Sequence, residues 1–508
     1  RNVTTNADMN NTAVGYNSAS NAILTGTNNN CFGSEAGFNL TSGSNNVAVG
    51  RSSMYTSETG EFNTVVGHGA LYYNVNGDRS VAIGAYSLNL SNPTGTSHSM
   101  ENTAVGYQTG YYMTTATNNT LMGTNAGLSI ETGNANTAIG NEAMIGSSSN
   151  KTTGSYNTAC GYRAGYVIQG AGANNAFFGD RAGYSNTTAQ ENTGVGSQAL
   201  YSNVDGGRCT AVGGQSFYTH DPSTAANTYN VGIGYYSGRN CSTGTKNVCL
   251  GAFAGSTLSS GDNNVLVGQD AGGYITSGTS NVMIGREAGY GASGSELTGQ
   301  GNVGVGDGAL FRIATTAHEN VAVGGAALAD CTTGDNNIGI GFEALRAGSP
   351  GGTVATSDNV AGIGDEHIAS FHCQVSLSVA SDERDKTDFT ALDLGLNFVK
   401  ALKPYTFRWD KRIAYADKSV ENWRDTVDLD KLSNDGTHKE DQLDIGFKAQ
   451  DVIALEAESN YKISDKTNLT THSSEDGKQY GMKYEKLVPI LVKAIQELEA
   501  RVATLEGA

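Results

Sequence analysis

Clustered positive charge is missing from this 508-residue chain: 31 Lys and Arg stand against 49 Asp and Glu, a formal charge of −18. Phosphate backbones and anionic membrane surfaces are held by grouped Lys and Arg, so this balance disfavours nucleic acid and such surfaces as partners. No apolar run approaches the roughly 18 residues that a spanning helix requires, which argues against membrane insertion. The seven cysteines cannot all pair within one chain, and they show no CxxC or Cys/His spacing suited to zinc. Cys31, Cys160 and Cys249 stand at apolar positions and read as small buried hydrophobes. No metal or cofactor is called for. The opening RNVTTNADMN has neither an initiator Met nor a signal peptide, as expected of a mature or truncated chain.

What is present is repetition. Of 68 glycines, 62 precede residue 371, whereas that stretch holds only 12 of 31 Lys and Arg and 24 of 49 Asp and Glu. The shift in composition places a domain boundary near 370, separating residues 1–370 from 371–508. In the first part NNTAVGY at Asn10–Tyr16 returns as NNVAVG, FNTVVG, ENTAVG, ANTAIG, YNTACG, NNVLVG and SNVMIG. Its glycine falls at Gly15, Gly33, Gly50, Gly67, Gly84 and onward to Gly341 and Gly364, in steps of 17 or 18 with longer steps of 21 to 23. A period that short suits one coil of a β-solenoid per copy rather than a helix pair or a propeller blade. The fold class expected is therefore mainly β, a parallel β-roll of about 20 coils.

Within each copy the residue before the glycine is apolar: Val14, Phe32, Val49, Val66, Ile83 and onward to Ile340 and Ile363. On a strand it is expected to point inward as a stacked core file. The residue two before the glycine, often small as in Ala13, Ala48, Ala82 and Ala104, would then face outward against a neighbouring chain. Asn recurs four before the glycine, at Asn11, Asn29, Asn46 and Asn63, and stacked amides at about 4.8 Å can bond along the axis as a ladder. The glycine supplies a positive φ or a close backbone approach at a corner.

This pattern resembles the head repeats of YadA-type trimeric autotransporter adhesins, and the repeat shafts of viral tail fibres. The longer steps carry polar, turn-rich insertions: LSNPTGTSHSME, GSSSNKTTGSY, THDPSTAANTY, ASGSELTGQ and AGSPGGTVATSD. They read either as tolerated surface insertions or as a row of loops that touches a host glycan or receptor. GQGNVG, with Gly299, Gly301 and Gly304, matches a dinucleotide fingerprint but falls in the repeat register with no helix pattern after it. Sequons such as Asn2, Asn39, Asn89, Asn186, Asn240 and Asn468 are about as frequent as chance gives in a chain this rich in Asn, Ser and Thr. Glu35, Glu142, Glu287 and Glu343 all lie two past a glycine, a repeat position rather than a paired-carboxylate site for glycan cleavage.

After residue 370 four phrases follow in order: Ser-Asp-x-Arg-x-Lys at Ser381–Lys386, LKPYTFRW at Leu402–Trp409, DIGFKAQDV at Asp444–Val452, and YEKLVPILVKAIQELEARVATLE at Tyr484–Glu506. Taken alone, SDERDK is a solvated turn or helix start with Ser381 or Asp382 as cap. Together the four resemble the endosialidase-type intramolecular chaperone autoprocessing domain of phage tailspikes and fibres. The resemblance implies an α+β domain that trimerises three chains and then severs itself, with Ser381 as nucleophile, Lys386 as its base, and the break beside Ser381 among Ala380, Ser381 and Asp382. The pair is chemically sensible, since a hydroxyl needs a base and a lysine serves once burial keeps it neutral. Asp385 is acidic where a neutral neighbour is expected and works against that.

In the last phrase Val488, Leu491, Ile495, Leu498, Val502 and Leu505 alternate spacings of three and four, a heptad seam on a helix over 484–506. The expected molecule is thus a homotrimeric attachment fibre of a virion, with a cellular surface filament or adhesin as the alternative location and a glycan-degrading spike as a third reading.

Overall fold

The computed structural model describes residues 9–507 apart from 22–23, 94–98, 148, 223–225, 292–293, 295, 369, 373, 375–378 and 421–422. Asn2 and part of the first insertion lie outside the described residues. The chain divides into two compact units, 1–301 and 302–508. It winds as a parallel β-solenoid of about twenty turns, each contributing one three-residue strand from Thr12–Val14 to Ala361–Ile363, and ends in a small α+β region. Sixteen of these strands fall in the first unit and four in the second.

Pairing is residue for residue. Ala13 lies opposite Cys31, Cys31 opposite Ala48, and the same register recurs at Cys249, Leu266 and Met283. Asn29 Nδ2 donates to Asn11 Oδ1 at 3.1 Å and Asn46 Nδ2 to Asn29 Oδ1 at 3.0 Å, while each backbone N–H bonds the same oxygen. The spare amide hydrogen goes to a glycine carbonyl, Gly43 for Asn29 and Gly60 for Asn46. Every donor and acceptor of these buried amides is thereby used, which is the condition for burying them at little cost.

The two faces of the strand are the reverse of the sequence expectation. Ala13 is 1% exposed and Val14 44%, and the alternation repeats in coil after coil, so the residue two before the glycine fills the coil and the bulkier one stands outside. The reason is shared volume. Phe177 occupies the space that a Cβ at Gly183 would need, only 2.5 Å from the ring. Where the inward strand residue shrinks to Gly194 or Ala48, the partner six residues on grows to Leu200 or Met54, both buried. Leu200 takes φ 53° and Met54 φ 50° to reach the interior. A left-handed residue costs roughly 1–2 kcal/mol, and burying such a side chain gains about 1.5–3 kcal/mol, so burial wins. Cys31 and Cys249 lie inside, their thiols pushed up to about 12 by burial. Cys160 takes the outward position and is half-buried, which corrects its reading as a core residue.

The repeat glycine meets both expected demands. Gly123 has φ 129°, and a Cβ there would lie 2.5 Å from the carbonyl oxygen of Gly140 in the next coil. Gly123→Ala is expected to cost about 2–4 kcal/mol. Gly308→Ala, at φ 62° with nothing within 4 Å, should cost only about 1 kcal/mol. Thermal unfolding of the two variants measures the difference.

The insertions do not only protrude, since Met100, Leu297 and His220 turn back into the interior. His220 Nδ1 lies 3.3 Å from the Cys241 carbonyl oxygen and Nε2 3.2 Å from Thr228 Oγ1. Burial holds the ring neutral, with its pKa down to about 4. Unfolded chains bind a proton at histidine below pH ~6.5, so stability is expected to fall as pH drops from there toward 4 and to show no contribution above it. The pH slope of the melting temperature between 6.5 and 5 should flatten in His220→Asn. Asn186 is also fully enclosed, with neither amide atom hydrogen-bonded, so a glycan there is incompatible with the folded coil.

In the second unit the four coils are followed by an exposed stretch; every described residue from 371 to 391 is exposed. Helix α1 (Leu396–Ala401), α2 (Trp423–Thr426), α3 (Ala449–Glu458) and α4 (Leu487–Glu506) then alternate with two antiparallel pairs. Tyr405–Phe407 pairs with Asp444–Gly446, joining the second and third sequence phrases, and Thr471–Ser473 pairs with Tyr480–Met482. Leu394, Phe398, Val452, Leu487 and Ile490 form the core. Only one flank of α4 is buried. The seam residues Val488, Leu491, Ile495, Leu498, Val502 and Leu505 are all exposed, Ile495 at 66%. Among the described residues, no helix is long and apolar enough to cross a membrane.

Candidate self-cleavage site

Asp382 caps a single 3-10 turn, Glu383–Asp385, by accepting from the Arg384 backbone N–H at 2.9 Å. Its carboxylate also pairs with the Arg384 guanidinium at 2.6 Å, which holds the acid below and the guanidinium above their usual ranges. The Lys386 N–H closes the turn on the Glu383 carbonyl. This folding-back sets the chemistry. Lys386 Nζ comes to 2.6 Å from Ser381 Oγ and 3.2 Å from the Ser381 carbonyl oxygen.

The structure therefore brings together Ser381 and Lys386, with Asp382 and Arg384 as the brace that shapes the turn and Ala380 immediately before it. The separation is within the reach of direct proton transfer between a hydroxyl and an amine. The whole turn is exposed, as are Ala380 and Asp385. A lysine acts as base only in surroundings dry enough to favour the neutral amine, so any such drying must come from outside this turn.

The other acids have different work. Glu142 pairs with Arg163 of the following coil at 2.6 Å, and Glu35 accepts from Ser52 at 2.9 Å, so these repeat positions brace neighbouring coils. Asp365, Glu366 and His367 offer ligand atoms within 4.8 Å of one another. There His367 Nδ1 is bonded to Asp365 at 2.7 Å and Glu366 to Arg424 at 2.9 Å, so a guanidinium already supplies the positive charge that a cation would bring. Gly304 sits mid-strand in the repeat register, which removes the dinucleotide reading of GQGNVG.

Sequence reasoning missed Arg424 and Glu475, charged residues that join the last coils to the α+β region. Glu475 accepts from the backbone N–H groups of Ala355 at 2.9 Å, Thr356 at 3.0 Å and Ser357 at 3.3 Å. These partners lie about 120 residues apart, and no local periodicity signals them. It also missed an outer ladder of tyrosines five past the glycine, Tyr166, Tyr184, Tyr201 and Tyr218, stacked at 4.7, 4.9 and 5.0 Å.

No curated protein matches the chain. Residues 381–459, opening on the serine of this turn and running through α3, match the family model Peptidase_S74, described as chaperone of endosialidase.

Proposed function

We propose that the chain is the subunit of a homotrimeric fibre or spike, carried on a virion or displayed outside a cell for attachment, whose shaft is assembled by the C-terminal region and then cut from it beside Ser381. The observation that carries this reading is the 2.6 Å Ser381–Lys386 contact at the first residue of the chaperone-of-endosialidase match, directly after a β-solenoid.

The chemistry is a self-acylation. Lys386 takes the hydroxyl proton, Ser381 Oγ attacks the Ala380 carbonyl carbon, and the C–N bond to Ser381 breaks as its nitrogen takes up a proton. The resulting ester is hydrolysed by water, regenerating the hydroxyl.

Association of three chains is supported by what each leaves uncovered. The outward strand positions, such as Thr103 with Val105, Val248 with Leu250 and Val265 with Val267, carry no charged residue on any coil. Over the sixteen coils of the first unit at about 4.8 Å each this face is roughly 70 Å long and on the order of 700 Å². A standard interface buries about 800 Å² per partner. The heptad seam on α4 is a second uncovered apolar strip. Contact with a host glycan or receptor would then fall to the first four insertions and the aromatic columns.

Intact-mass analysis of the purified chain, with sedimentation to count subunits, tests the reading. Two fragments divided beside Ser381 in a trimer are expected; an intact monomer would overturn it.

A further inference from the structure

The contacts between the last coils and the α+β region form a clamp that the cut does not touch. Arg424 is buried, and its guanidinium donates to the Ala347 carbonyl oxygen at 2.7 Å, to Glu366 at 2.9 Å, and to Glu343. Glu343 and Glu366 belong to the final two coils. From the same side Lys411 Nζ bonds the Glu366 carbonyl oxygen, and Ile413 packs where a Cβ on Gly348 would lie 2.6 Å away. Glu475 collects three backbone N–H groups and the Thr356 hydroxyl from the fifth insertion, AGSPGGTVATSD. Gly352 of that insertion lies against Ser474, where an added Cβ would come within 2.5 Å.

Two features make this interface costly to open. The Arg424 guanidinium is buried and paired through its two terminal nitrogens, its Nε and the Glu366 Oε2 having no hydrogen-bond partner among the described residues, and removing one member of the pair strands an unpaired buried charge. The Glu475 carboxylate satisfies the N–H groups of a turn that would otherwise depend on water. Meanwhile Ser381 lies among the exposed described residues of 371–391, none of which supplies any of these contacts.

We infer that the clamp is a docking surface for the severed domain, so that residues from Ser381 onward remain seated on the end coils after the peptide bond is gone. The fifth insertion is thereby assigned a partner within the chain rather than a glycan. The cut removes the tether, and release becomes a separate event that requires the Arg424 and Glu475 contacts to open.

The inference rests on the cleavage proposed above, and the experiment separates the two. Wild type is compared with a Ser381→Ala chain that carries a recognition sequence for a site-specific protease inserted after Val379. Each cut protein is run on a size-exclusion column, and the fractions are resolved on a denaturing gel. The fragment is expected to elute with the shaft in both cases. Arg424→Gln together with Glu475→Gln should reduce the retained fragment at least tenfold. Glu475→Gln alone, a change outside the α+β core, should reduce it severalfold, which keeps the test valid where the double variant folds poorly. Fragment eluting free from the wild-type shaft, or retained undiminished in both variants, overturns the clamp. An uncut wild type whose protease-cut counterpart holds its fragment overturns the self-cleavage and leaves the clamp standing.

Discussion

Ser381→Ala is expected to leave the chain at its full 508 residues, in an assembly of unchanged size, where wild type yields two pieces. Lys386→Ala should do the same. Neither side chain packs against a coil or the α4 seam, so both variants should fold, and a loss of cutting would report on chemistry alone. Lys386→Arg sharpens the assignment, because a guanidinium keeps the positive charge but does not act as a base. It should abolish cutting as fully as alanine does. In the proposed mechanism the serine and lysine act as a unit, so removing the nucleophile should lower the rate by several powers of ten. Asp385→Leu, which removes an exposed acid beside the lysine, should speed the reaction. Continued cutting at the same bond in Ser381→Ala would assign the break to an outside protease.

The period of the solenoid, the asparagine ladder, the corner glycine and the terminal helix α4 were legible because each rests on a local rule repeated along the chain. The facing of the strand was not. Hydrophobicity ranks Val14 above Ala13 as a core residue, yet the interior is narrow and already holds the amides and the buried residues of the next corner. A signal was present in the size exchange between the inward strand position and the position six later, Phe177 with Gly183 and Gly194 with Leu200. Residues that trade volume within a coil share its interior, and the outward position shows no such trade. The serine and lysine lie five residues apart, and a turn sufficed to join them. The clamp was invisible because Arg424 and Glu343 are far apart in sequence and each is an ordinary charge in its own neighbourhood.

The corrected facing changes what substitutions in the shaft should do. Ala138 is fully enclosed, so Ala138→Glu places a carboxylate inside the coil and is expected to destabilise the coil itself by several kcal/mol, whatever the state of assembly. Ile233 and Ile284 face outward, and Ile233→Asp with Ile284→Asp should leave the single-chain fold within about 1 kcal/mol of wild type. Any effect of that pair belongs to association, which should weaken by more than tenfold in sedimentation equilibrium. Leu498→Asp acts at the other uncovered strip, half exposed in one chain and central in the seam. It should prevent the three helices from meeting, and since the Ser381–Lys386 turn is open to water in a single chain, the same variant should remain uncut. A monomeric Leu498→Asp chain that still breaks beside Ser381 would show that the turn needs no partner to dry it, and assembly would lose its place upstream of the chemistry.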